Sequence, residues 1–176
     1  TVDLKATFPM LEKQNLLGLP QDKLKIFFSD LSEKPFRTKQ IMQWIYHQGA
    51  TSFGDMHNFS KDLRQNLQAI ASIDFPEVVS INHAKDGVIK WVIKLEEDNH
   101  IETVYIPQKD RGTLCISSQV GCALACQFCA TGDQGWHKNL HAHQIMGQVW
   151  QASQWLSENR PSYPAVTNIV FMGMGE

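Results

Sequence analysis

Nothing in this sequence approaches the roughly 20 consecutive apolar residues that a membrane-crossing helix needs. Its hydrophobic content of 43% is therefore assigned to a buried core, enough for one domain or two small ones. The first residues also lack the charged-then-apolar pattern of a secretory leader, so the expected compartment is cytoplasmic. Cysteine is scarce, at 4 in 176 residues, which excludes the disulfide framework of a small secreted domain. An excess of one charge is missing too. With a formal net charge of −2, bulk electrostatics gives no support for a nucleic-acid partner, and any basic binding surface would have to be local.

What the chain does have is three of its cysteines crowded together. Cys122, Cys126 and Cys129 form a CxxxCxxC run inside the segment GCALACQFCATG. Isolated thiols often serve as small buried hydrophobes, but packing explains poorly why three should share one loop flanked by glycines. Zinc is the stronger rival, with Cys115 or His137 able to supply a fourth ligand. Structural zinc sites, however, usually draw on two separated ligand pairs rather than a single triplet. The spacing favours three irons of a four-iron cluster held by one short loop, with the fourth iron open to a small molecule.

The first seventy or so residues read as helical. Leu24, Phe27, Phe28 and Leu31 recur at helical spacing, with Pro20 and Asp22 near the start. A second helix carries Ile41, Trp44 and Ile45, and Ser60 is placed to cap a third bearing Leu63, Leu67 and Ile70. Lys34, Arg37 and Lys39, near Trp44, Tyr46 and His47, could contact phosphates and stack on bases, although a solvated helix face is the simpler reading. From Glu77 the period changes to two. Strands around Val78–Ile81, Val88–Lys94 and His100–Ile106 are separated by turns at Asp86-Gly87 and Asp98-Asn99. Glu102 lies in the last of these, where a carboxylate is ordinarily just the solvent-facing position.

Residues 113–120 read as a strand leading to the cysteine loop. Ile145, Val149, Ala152 and Leu156 then mark a helix, and Val166–Phe171 is an apolar run expected as a parallel strand buried on both faces. It opens into Gly173-Met174-Gly175-Glu176. This order is the start of a βα barrel, whose sites lie where strands end. The expected fold is α/β: a helical accessory domain over 1–75, a β-hairpin linker over 76–107, and the first βα units of a truncated, TIM-like barrel over 108–176.

Taken together, the cysteine triplet with Phe128, the string TLCISSQVGCALACQFCATGDQGWHKN, ETVYIP at 102–107, the terminal GMGE and the early segment EKPFRTKQIMQWIYH resemble one enzyme family. It is the dual-specificity adenine-C2 RNA methyltransferases of the radical S-adenosylmethionine superfamily. The resemblance implies that Cys122, Cys126 and Cys129 bind a [4Fe–4S] cluster whose open iron takes the amino and carboxylate groups of S-adenosyl-L-methionine. Gly175 and Glu176 resemble the segment that hydrogen-bonds the methionine amino group, and Phe128 would pack near the adenine. Glu102 matches the family's proton acceptor. Cys115 matches a cysteine that attacks a methyl-carrying cysteine, forming a disulfide and releasing product; on residues alone it would read as packing.

The implied partners are 23S rRNA, tRNA and a flavodoxin-type electron donor, with a monomer expected at full length. The family's methyl-carrying cysteine lies beyond Glu176, as do most barrel strands. These residues are therefore expected to be an N-terminal part, inactive in methyl transfer on its own. An adenine-C8 methyltransferase paralogue and a non-catalytic, zinc-holding RNA-binding module remain as alternatives.

Overall fold

The computed structural model describes residues 13–175 and divides after Asp74 into two compact units. In the first, strand β1 (Gln14–Asn15) pairs in parallel with β2 (Ala71–Ser72), bringing the two ends of its described part together. Between them lie α1 (Gln21–Asp30), α2 (Phe36–Met42), which widens into a π-helical turn at Gln43–His47, and α3 (Lys61–Ile70). The apolar stripes point where their spacing requires. Leu24 and Phe28 of α1, Ile41 of α2 and Leu63 and Leu67 of α3 are buried. Ile70, expected on the same stripe, is 41% exposed because α3 ends there and the chain turns into β2.

Ser60 caps α3 as its position suggested, its Oγ accepting the Leu63 N–H at 3.2 Å. That bond satisfies one of the orphan amides of the first turn. Ser60→Ala is expected to lower the stability of this unit by about 1 kcal/mol, read as a shift of its urea midpoint. An unchanged midpoint would show the cap to be solvent-replaceable.

The second unit is built on a sheet of five strands. Three of them, β3 (Glu77–His83), β4 (Ile89–Lys94) and β5 (His100–Gln108), make the antiparallel meander. It continues through β6 (Arg111–Cys115). A small ribbon of β7 (Gln119–Gly121) and β8 (Trp136–Asn139) then encloses the cysteine loop and a short helix, α4 (Ala130–Asp133). Helix α5 (Ala142–Asn159) crosses back, and β9 (Val166–Val170) pairs in parallel with β6. The segment expected as a linker is thus the antiparallel part of the same sheet that carries β6 and β9.

Alternation in β4 and β5 sets the two faces of this sheet. Ile89, Trp91 and Ile93 alternate with half-exposed Lys90, Val92 and Lys94, while Ile101, Thr103 and Tyr105 are fully buried. The buried set packs with Ala152 and Leu156 of α5, and Trp91 meets Trp155 edge-on at 5.7 Å. The opposite face carries Glu102, Val104 and Cys115 and is only partly covered.

Two expectations need correction. The 113–120 segment is not one strand: it breaks after Cys115 and resumes at Gln119 in a different sheet. Nor is β9 buried on both faces. Its residues alternate between half-buried and exposed, with Ile169 at 47%, because β9 lies at the sheet's edge among the described residues. The β6–α5–β9 crossover is a parallel βα unit, and among the described residues the sheet is open.

Candidate functional site

The cysteine loop is anchored where its ribbon closes. Gly121 has φ +73°, a left-handed conformation that L side chains rarely adopt, and a Cβ there would fall 1.7 Å from the Gly135 carbonyl oxygen. That same carbonyl accepts the Cys122 N–H at 3.1 Å. Further on, the Cys129 N–H donates to the Cys126 carbonyl at 3.1 Å, and the Gly132 N–H donates to the Cys129 carbonyl at 2.8 Å. The loop is therefore held largely through its own backbone.

Cys122, Cys126 and Cys129, all partly exposed, line a single cavity of about 150 Å³. Phe128, Thr131 and, from the end of β9, Met172 and Gly173 complete its wall. Phe128 is 94% exposed, its ring standing at the mouth. Among the described residues no three His, Cys, Asp or Glu side chains group closely enough to hold one metal ion. Three soft thiol donors from one short loop are a donor set that suits an iron–sulfur cluster. Neither Cys115 nor His137, the two expected fourth zinc ligands, lines this cavity.

The other half of the site is a turn that docks from β9. The Gly173 N–H donates to the Ile116 carbonyl at 3.2 Å, and the Met174 carbonyl accepts both the Ser118 and Gln119 N–H groups, at 2.8 and 3.1 Å. Ser118 Oγ donates to the Gly175 carbonyl at 2.6 Å. Gly175 has φ +96°, and a side chain there would collide with Gln119 at 2.5 Å. Glu176, the expected partner of a methionine amino group, lies outside the described residues.

A larger cleft of about 540 Å³ adjoins this cavity, since Thr131 lines both and Met174 continues the wall begun by Gly173. Glu102, His100 and His137 face it. Lys90 Nζ lies 2.9 Å from Glu102 Oε1, each side chain being roughly half exposed. At the rim, the Lys94 ammonium, 3.0 Å from Asp98, holds that carboxyl below its ordinary range by hydrogen bond and charge. Cys115 pairs with Val104, two residues along from Glu102, so Glu102 and Cys115 occupy one face of adjacent strands. No disulfide joins any of the four cysteines.

The basic and aromatic set of the first unit is largely engaged in structure. Arg37 pairs with Glu33 at 3.2 Å, donates to the Asn58 carbonyl and sits 5.0 and 5.2 Å from the Phe36 and Phe59 ring centres. Trp44 donates to Asn58 at 2.7 Å. Tyr46 Oη accepts the Gly18 N–H at 2.8 Å, and burial pushes its phenol above the usual range while that N–H pulls the other way. Lys34, Lys39 and His47 remain exposed.

Sequence reasoning missed Ser117, Ser118 and Gln148. Ser117 and Gln148 are fully buried, and Gln148 lies on the helix face where only apolar residues were expected. The available signal was two glutamines, Gln144 and Gln148, four apart beside an apolar stripe.

Residues 14–73 match the family model described as "Ribosomal RNA large subunit methyltransferase N-terminal domain". The "Dual-specificity RNA methyltransferase RlmN" of Vesicomyosocius okutanii subsp. Calyptogena okutanii is 59% identical over 166 residues, covering 94% of this chain and 46% of that protein. The protein of the same description from Marinobacter nauticus is 49% identical over 165 residues, 94% of this chain and 45% of its own. Among solved structures, a radical SAM methyltransferase from Sphaerobacter thermophilus superimposes with a TM-score of 0.81 at 35% identity, over 93% of this chain and 47% of that one. The chain is similar to these proteins and spans about half their length.

Proposed function

We propose that this chain, related to dual-specificity RNA methyltransferases, is the cofactor-binding part of a radical S-adenosylmethionine RNA methyltransferase. The observation that carries the reading is the single cavity shared by Cys122, Cys126, Cys129 and the Met172–Gly173 turn. The three thiolates would hold a [4Fe–4S] cluster, leaving one iron for S-adenosyl-L-methionine. Such a cluster, when bound, supplies the electron for reductive cleavage of that cofactor, delivered to it by a flavodoxin-type donor. The Gly173–Gly175 turn, held through Ser118 and Gln119, would form a wall against which the methionine end lies, with Glu176 pairing its ammonium. Phe128 would close over the adenine.

Glu102, facing the adjoining 540 Å³ cleft, would accept a proton from the target base, and Lys90 keeps its carboxylate turned toward the strand beside it. Cys115, on the same sheet face, would release product by attacking a methyl-carrying cysteine. The four cysteines of this sequence are all assigned, so methylation of adenine C2 in 23S rRNA and tRNA is proposed for a full-length protein and not for these 176 residues alone.

Anaerobic reconstitution is expected to load about four irons and matching sulfide per chain. Cys122→Ala, Cys126→Ala or Cys129→Ala should each abolish loading, and Cys115→Ala should leave it intact. Stoichiometric zinc without sulfide would replace this reading with the zinc-holding module. Loss of the cluster from Cys115→Ala would overturn the ligand assignment.

A further inference from the structure

We infer that Gln148 is a positioning residue that, through Ser117, fixes the strand carrying Glu102 to the turn at Gly173–Gly175, holding two walls of the candidate site at one spacing. The inference rests on the functional reading above, because that reading gives the two walls their roles.

The β6 ladder ends at Cys115, and Ser117 lies past it, fully buried, where its main-chain N–H and C=O have no strand to pair with. Buried amide groups require partners. Gln148 supplies both: its Oε1 accepts the Ser117 N–H at 2.8 Å, and its Nε2 donates to the Ser117 carbonyl at 2.9 Å. Oε1 also accepts Thr103 Oγ1 at 2.8 Å, and Nε2 makes a longer contact of 3.4 Å with the Gln144 carbonyl. The amide is thereby saturated in a site with no exposure to water.

With its backbone held, the Ser117 hydroxyl is aimed in two directions. It donates to the Glu102 carbonyl at 2.7 Å and accepts the Met174 N–H at 3.0 Å. One side chain therefore joins β5 to the turn after β9. The two ends of this link are not arbitrary places in the core, since Glu102 and Met174 both line the 540 Å³ cleft. A leucine at position 148 would fill similar volume on the α5 stripe while leaving three buried polar groups, on Ser117 and Thr103, without partners. Networks of this kind fix geometry when complete and lose it when cut.

The test separates positioning from stability by pairing Gln148→Leu with the double variant Gln148→Leu/Thr103→Val, in which the stranded Thr103 hydroxyl is also removed. Ser117→Ala serves as a milder cut that leaves α5 untouched. In the chain without cluster, amide hydrogen exchange at Met174 is expected to accelerate about tenfold or more in all three. The double variant should recover melting temperature but not this protection. In reconstituted chain, iron content should be unchanged, while S-adenosyl-L-methionine affinity, read from its perturbation of the reduced cluster's EPR signal, should weaken about tenfold.

Unchanged Met174 exchange in Ser117→Ala and Gln148→Leu would overturn the link. So would full recovery of protection in the double variant, which would make Gln148 a stability residue only. An opened turn with unaltered cofactor affinity would overturn the positioning role. If the unsubstituted chain takes up no cluster, the functional reading fails by itself, and the exchange arm still decides whether the link exists.

Discussion

Gly121→Ala is expected to abolish cluster loading altogether while leaving the first unit folded. The added methyl would lie 1.7 Å from the Gly135 carbonyl oxygen and 2.9 Å from its carbon. Both are backbone atoms on the facing arm of the ribbon, so no rotamer change relieves the clash. Relief requires β7 and β8 to part, and with them goes the bond from the Cys122 N–H to Gly135. The left-handed φ of +73° adds its own strain. A cost on the order of 3 kcal/mol or more follows for the second unit from steric overlap in a fixed backbone. Iron and sulfide analysis after anaerobic reconstitution checks the loading. Gly135→Ala is the control: its φ is +70°, but nothing lies within 4 Å of an added methyl, so strain alone acts and loading should survive. Normal loading of Gly121→Ala would mean that the loop forms independently of its ribbon.

Truncating the centre of the sheet should be as damaging to stability as Gly121→Ala is to the loop. Trp91→Ala is expected to cost about 3–5 kcal/mol, measured by urea unfolding of the second unit. Trp91 is 1% exposed on the middle of β4, and its loss removes the edge-on contact to Trp155 and opens a void against α5. Its indole N–H is buried with no hydrogen-bond partner among the described residues. That makes Trp91→Phe informative. Phenylalanine keeps most of the packing and removes a donor whose desolvation is uncompensated, so the loss should be well below that of alanine. Equal losses for both variants would show that the indole N–H is satisfied in solution.

The sequence made the repeating elements legible because their signals are local. Leu24 and Phe28, Leu63 and Leu67, and the alternation from Ile89 to Ile93 each report a face within a few residues. The cysteine cavity was legible for the same reason, its three thiols lying within eight residues. What stayed hidden depends on partners far away in the chain. The break at Ser117 follows from bonds to Gln148 and Met174, 31 and 57 residues distant, which no pattern around Ser117 announces. Arg37 looked available for phosphate because its partner Asn58 lies 21 residues on. The apolar run of β9 read as doubly buried, yet burial depends on neighbouring strands, and β9 has only β6 among the described residues.

The arrangement of β9 also sets how the sheet holds itself together against chain entropy. Each antiparallel pairing from β3 to β6 closes a short connection, so its neighbours are never far apart even when the ladder opens. The pairing of Leu114 with Ile169 instead closes a loop of roughly fifty residues. Each doubling of loop length adds about 0.6 kcal/mol of closure cost, so the parallel edge carries roughly 2 kcal/mol more than a hairpin does. The Gly173–Gly175 turn rides on that edge and meets the cysteine loop only while it is docked. The cavity is thus formed across the seam of the sheet with the highest closure cost, and a ligand that touches both sides acts as a staple across it.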